Sequence, residues 1–151
     1  MNVIPGDLIE LALNGEFDVI IHGCNCQCVM GAGIAKAIKA RFPEAFQADL
    51  KTEKGSRDKL GTISFAEIVG DDRTIAVVNG YTQFHWKGRG VLVDYDALRS
   101  VMKAVRTQFG GKRIGYPKIG AGMAKGDWER IATIIDEELE GEDHTLVEYA
   151  G

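Results

Sequence analysis

At 151 residues the chain has the length of one domain, and its 45% hydrophobic and 26% charged residues suit a soluble fold with a real core. A net charge of −4 without a basic run disfavours binding to a nucleic-acid polymer and leaves room only for a local positive pocket. No apolar run reaches the roughly 18 residues of a membrane span, the N-terminus lacks a signal-peptide core, and the crowded Cys24, Cys26 and Cys28 make a poor disulfide framework; a cytoplasmic protein with no membrane partner is expected.

Val3 and Ile4 begin a short strand that Pro5-Gly6 closes, and Asp7 can cap a helix running to Leu13, with Gly15 as its stop. Residues 17–24, FDVIIHGC, read as a buried strand ending in a loop. Ile34, Ala35, Ile38 and Phe42 have helical spacing, and Pro43 ends that helix. Residues 62–68 and 74–78 are strand-like, with Gly70-Asp71-Asp72 as the hairpin turn. Leu98, Val101, Met102, Val105 and Phe109 form an amphipathic stripe. A short strand at 113–116, a second stripe through Trp128, Ile131, Ile135 and Leu139, and a strand at 145–149 complete the chain. The order βαβαββαβαβ predicts one domain over residues 1–151, a mixed, mainly parallel sheet with helices on both faces, expected as a monomer. Ligands of such sheets sit beyond the carboxyl ends of the strands.

Two glycine loops fall at those ends. Gly31-Ala32-Gly33-Ile34 runs into a helix, and Gly120-Ala121-Gly122-Met123 follows the strand at 113–116. Such loops present backbone N–H groups and a helix dipole to an anion, although a plain tight turn explains either loop alone. Two together suit a diphosphate. Neither has the Gly-Lys-Ser/Thr ending of a P-loop, and the dinucleotide fingerprint is absent from the first strand-to-helix turn, so nucleoside triphosphate hydrolysis and an ordinary dehydrogenase are both disfavoured. His22, Cys24, Cys26 and Cys28 share one strand parity, but residues two apart on a strand lie roughly 6.6 Å from each other. That separation is too long for tetrahedral zinc, so no metal is expected and the cysteines read as packing residues.

Gly6-Asp7-Leu8, IIHGCNCQCVMGAGIA and YPKIGAGMAKGDW, taken in this order, resemble a macrodomain across nearly the whole chain. The segment holding His22 is closest to the branch containing yeast ADP-ribose 1''-phosphate phosphatase, which is also similar to glutamyl-ADP-ribose hydrolases and to antitoxins that remove ADP-ribose from DNA. The resemblance implies a three-layer α/β/α fold and a phosphatase releasing ADP-ribose and phosphate from ADP-ribose 1''-phosphate, without a cofactor. Removal of ADP-ribose from protein or nucleic acid, or binding without turnover, remain as alternatives. ADP-ribose or its 1''-phosphate is the expected partner, with nucleic acid entering only as an ADP-ribosylated substrate.

By position, Asp7 is implied to accept from the adenine amino group beside the Leu8 backbone, while also serving as a helix cap. Asn25 is implied at the distal ribose, and Gly31, Ala32, Gly33, Ile34, Gly120, Ala121, Gly122 and Met123 at the diphosphate. Tyr149 can stack on adenine or pack as a strand-edge aromatic. His22, at the end of the strand that delivers Asn25, is expected to carry a proton, the other reading being a core histidine. Asp127 is expected either to orient a water or to cap the last helix. Gln83 and His85 lie in a glycine-flanked segment able to close over the ligand. The lysine nucleophile of the glutamyl-ADP-ribose hydrolases has no counterpart, because Asn79, Gly80 and Tyr81 stand where it belongs and Lys87 comes too late.

Overall fold

The computed structural model describes residues 1–149, so residues 150–151 of the expected single domain lie outside the described residues. Six strands, β1 (Asn2–Gly6), β2 (Val19–Asn25), β3 (Ile63–Val69), β4 (Thr74–Gln83), β5 (Ile114–Tyr116) and β6 (His144–Tyr149), form one sheet in the order β1-β6-β5-β2-β4-β3. Every pairing is parallel except β3 with β4, which a turn at Gly70–Arg73 joins as a hairpin. The expected mixed, mainly parallel sheet is what forms.

Alternation along the strands sorts side chains into two cores. Val19, Ile21, Ala76, Val78 and Leu146 face one side, packed by α4 (Tyr95–Phe109) and α5 (Trp128–Glu138). Ile20, Ile75, Val77 and Val147 face the other, packed by α1 (Leu8–Leu13), α2 (Gly33–Arg41) and α3 (Pro43–Leu50). Leu98, Val101, Met102, Val105 and Phe109 are buried as their spacing predicts. Helices on both faces give the α/β/α sandwich. Among the described residues no helix is long and apolar enough to cross a membrane.

Two elements differ from the sequence reading. Pro43 ends α2 and also opens α3, where its missing N–H costs nothing at the first helical position. Strand β4 runs to Gln83, five residues past the expected end, although Asn79 and Gly80 look like turn residues. Buried partners hold it extended: Asn79 accepts from His22 Nε2 at 2.7 Å and donates to the Ala45 carbonyl at 2.9 Å and Ser64 Oγ at 3.1 Å. The Tyr81 hydroxyl reaches Asp49 Oδ1 at 2.7 Å. A polar seam therefore lies between the sheet and α3.

The five parallel strands all end at one edge, at Gly6, Tyr149, Tyr116, Asn25 and Gln83. Near that edge the β2–β4 register slips: Cys24 pairs with Tyr81 and Asn25 with Gln83, leaving Thr82 as the extra residue of a bulge.

Candidate functional site

A cleft of about 430 Å³ opens beyond these strand ends. Gly31, Ala32, Gly33, Ile34 and Ala35 form one wall, Pro117 to Gly120 and Gly122 to Ala124 the other, and Gly23, Cys24, Asn25 and Gln83 lie between them. Both glycine loops thus meet in one space. Helices α1, α4 and α5 each have an aspartate cap, from Asp7, Asp94 and Asp127. Helix α2 has Ala32 as its N-cap and no side-chain cap bond, and its first residues, Gly33, Ile34 and Ala35, line the cleft. In the second loop Gly120 turns at φ +74°, a conformation that favours glycine, and accepts from Gly126 N at 2.7 Å. An anion between the loops would take the place of the absent cap.

Charge is arranged to match. Segments 26–42, 84–92 and 117–126, which each contribute to the cleft, hold Lys36, Lys39, Arg41, Lys87, Arg89, Lys118 and Lys125 and no acid, in a chain with 22 acidic and 18 basic residues. Lys118 lines the cleft itself. Asn25 Nδ2 donates to the Val29 carbonyl at 2.8 Å and its Oδ1 accepts from Gln27 N at 2.9 Å. These bonds fix the amide while leaving one N–H and one lone pair for a ligand. Trp86, 44% exposed, also lines the cleft, its ring tilted by 32° against that of His85 at 5.2 Å between centroids; His85 does not line the cleft. Trp86 and Lys118 were not singled out from sequence; the signals were an aromatic between glycines and a lysine directly before the second loop.

The expected residues do not all assemble. His22 does not line the cleft and has no exposed surface. It lies three residues before Asn25, so the strand's period of two turns it to the α3 side while Asn25 faces the ligand side. There it donates to Asn79 Oδ1, with Cys24 Sγ 3.7 Å from Nδ1. Burial outweighs the Asn79 bond and lowers its pKa to about 4, so the imidazole is neutral near pH 7. This corrects the placement of His22 at the distal ribose. Asp127 also stands off the cleft; its Oδ1 accepts from Glu129 N at 3.1 Å as the cap of α5.

Asp7 is exposed and caps α1 through Oδ1, which leaves Oδ2 free; Leu8 is buried, and neither residue lines the cleft. Tyr149, 78% exposed, pairs in register with Gly6, so the tyrosine and Asp7 stand together at the β1–β6 end. Of the second loop, Met123 is 68% exposed and Ala121 alone is set back from the lining. Cys24 and Cys26 are buried, and burial raises both thiol pKa values; Cys28 is half-buried. Lys59 Nζ, itself buried, lies 3.4 Å from Cys28 Sγ. Among the described residues no three His, Cys, Asp or Glu side chains gather as a metal-ligand set.

Among known proteins the chain is similar to an uncharacterized 17.5 kDa protein of Enterobacteria phage T4, 37% identical over 139 residues that cover 88% of this chain and 86% of that one. A DNA ADP-ribosyl glycohydrolase of Mycobacterium tuberculosis is 29% identical over 83% of this chain, which spans only 35% of that protein's length. An ADP-ribose 1''-phosphate phosphatase of Neosartorya fischeri is 51% identical, but over 43 residues, 28% of this chain and 20% of that protein. The macrodomain of Mycobacterium tuberculosis DarG superposes with a TM-score of 0.74 at 24% identity, covering 98% of this chain and 95% of that one, which speaks to fold alone. Residues 21–135 match the Macro domain family. That match takes in both glycine loops and the strand ends between them, and with it the chain belongs to the Macro domain family.

Proposed function

We propose that the protein binds ADP-ribose 1''-phosphate across its strand ends and hydrolyses it to ADP-ribose and phosphate. The observation that carries this reading is the meeting of two glycine loops and Asn25 in one acid-free cleft. The order along the sheet supports it. Asp7 and Tyr149 stand at the β1–β6 end, the second loop follows β5, and Asn25 and Gln83 end β2 and β4. Adenine, diphosphate and distal ribose follow one another in the same order. In this reading Oδ2 of Asp7 accepts from the adenine amine, the loop amides and Lys118 hold the diphosphate, and Asn25 orients the ribose.

Among the described residues no Asp, Glu or His lines the cleft. A leaving group that needs no general acid suits such a lining, and an anomeric phosphate departs as a stable anion. The attacking water's oxygen bonds to C1'' and the C1''–O bond breaks with its electron pair on the phosphate. The water's proton passes to the departing phosphate, so the substrate serves as its own base. Removal of ADP-ribose from DNA is the second reading. It uses the same carbon and is favoured by the similarity to the mycobacterial glycohydrolase over most of this chain.

Turnover of ADP-ribose 1''-phosphate in heavy-oxygen water separates the cases. Phosphate release with the label in ADP-ribose is the expected result, whereas label in the phosphate would move the attack to phosphorus. Release of ADP-ribose from ADP-ribosylated DNA without phosphatase activity selects the second reading. ADP-ribose binding without either turnover would mean a binding module only.

A further inference from the structure

Of the side chains that line the cleft among the described residues, only those of Asn25 and Gln83 carry an oxygen. Asn25 Oδ1 already accepts from Gln27 N at 2.9 Å, and the proposed reading gives the rest of that amide to the distal ribose. Gln83 is differently placed. Its Nε2 donates to the His85 carbonyl at 3.0 Å, while its Oε1 takes no hydrogen bond among the described residues. A carbonyl can only accept, so this bond settles which end of the amide is nitrogen and leaves the oxygen as the free end.

The backbone brings that oxygen to the cleft and holds it. Without the bulge in β4, Thr82 would stand opposite Asn25; instead Thr82 is buried and Gln83, half-buried, takes the place in register with Asn25. Residues paired across neighbouring strands present their side chains on the same face, so the two amides are neighbours on the ligand side. On its other flank Gln83 is bridged to Val93, beside the bond from Asp94 N to the Thr82 carbonyl at 2.7 Å. Backbone partners on both flanks and a pinned amide make Oε1 a fixed acceptor at the end where the proposed reading places the distal ribose. A group already held in place needs little further ordering when substrate arrives.

The geometry points to Gln83 as the residue that holds the hydrolytic water. The water lies in the open cleft and donates one hydrogen bond to Oε1, which turns its lone pair toward C1''. The amide takes no proton; the water's proton leaves with the phosphate as described above. This role rests on the hydrolase reading and deepens it.

Gln83→Met keeps the length and removes both polar atoms, and Gln83→Glu keeps an acceptor oxygen at the same reach. Phosphate release from ADP-ribose 1''-phosphate, ADP-ribose affinity by calorimetry and melting temperature are measured on one preparation of each variant and of wild type. The methionine variant is expected to lose about 10- to 100-fold in kcat, the scale of misplacing a reacting group. Its affinity for ADP-ribose should stay within about threefold of wild type. Glutamate should bring kcat back to within about threefold of wild type or above it, even as its charge raises KM for a phosphate-bearing substrate. Wild-type kcat in the methionine variant, or an equal loss in both variants, overturns the role. An affinity that falls as far as kcat in the methionine variant also overturns it, since Gln83 would then be a contact to the ligand itself. Wild-type protein that binds ADP-ribose but releases no phosphate overturns the hydrolase reading and the role of Gln83 with it.

Discussion

At His22 the environment explains both charge state and role. Its imidazole is neutral because burial lowers the pKa to about 4, against about 6.5 for an exposed histidine. The unfolded chain takes up a proton between these values and the folded chain does not. Stability is therefore full above about pH 6.5 and declines as pH falls toward 4, by roughly 3 kcal/mol at about 1.4 kcal/mol per pH unit. Chemical denaturation at stepped pH should show this decline in wild type and a flatter profile in His22→Gln. Alanine at the same position leaves a cavity and orphans the Asn79 carbonyl, so a loss of about 2 to 4 kcal/mol is expected. Turnover per folded molecule should stay within about threefold of wild type. A drop in kcat of about 100-fold or more at unchanged stability would return the imidazole to the chemistry.

Among the elements, the uncapped start of α2 is the most exposed to test. Gly33 turns at φ +57°, and a Cβ there would meet nothing within 4 Å. Gly33→Glu thus adds backbone strain of about 1 kcal/mol and a carboxylate where an anion is expected. Calorimetry should show ADP-ribose affinity at least about tenfold weaker, with the fold intact by circular dichroism; unchanged affinity would remove the first loop from the site. Both loops were legible in the sequence because glycine between a strand and a helix is a local signal. Helices α4 and α5 were legible from their apolar spacing. Helix α3 was not, since Pro43 was read as a stop when it serves equally as a first residue. Strand β4 was cut short at Asn79, whose buried partners lie 15 to 57 residues away. His22 was misplaced through continuity: a residue near Asn25 in sequence was taken as near it in space, although odd separations on a strand point to opposite faces. Trp86 and Lys118 enter the cleft by tertiary placement, which no local pattern announces.

At the scale of the whole molecule the two faces of the sheet are unequal. The α4–α5 face is packed almost wholly with apolar side chains, and the second loop is rooted in it through Ile119 and Ala124. The first loop hangs from the smaller α1–α3 core through Met30, next to the seam of His22, Asn79, Tyr81 and Asp49. Opening that side exposes less apolar surface and frees groups that water can satisfy, so it requires less free energy than opening the other. The cleft therefore has one stiff jaw and one compliant jaw. Native-state hydrogen exchange should find the amides of α2 and α3 opening well below the global unfolding free energy, while those of α4 open only with it. ADP-ribose, gripping both jaws, should slow exchange mainly in α2 and α3. Ligand entry would then be governed by the compliant side, and the affinity lost to ordering it could be recovered by substitutions that stiffen α3 without touching the ligand.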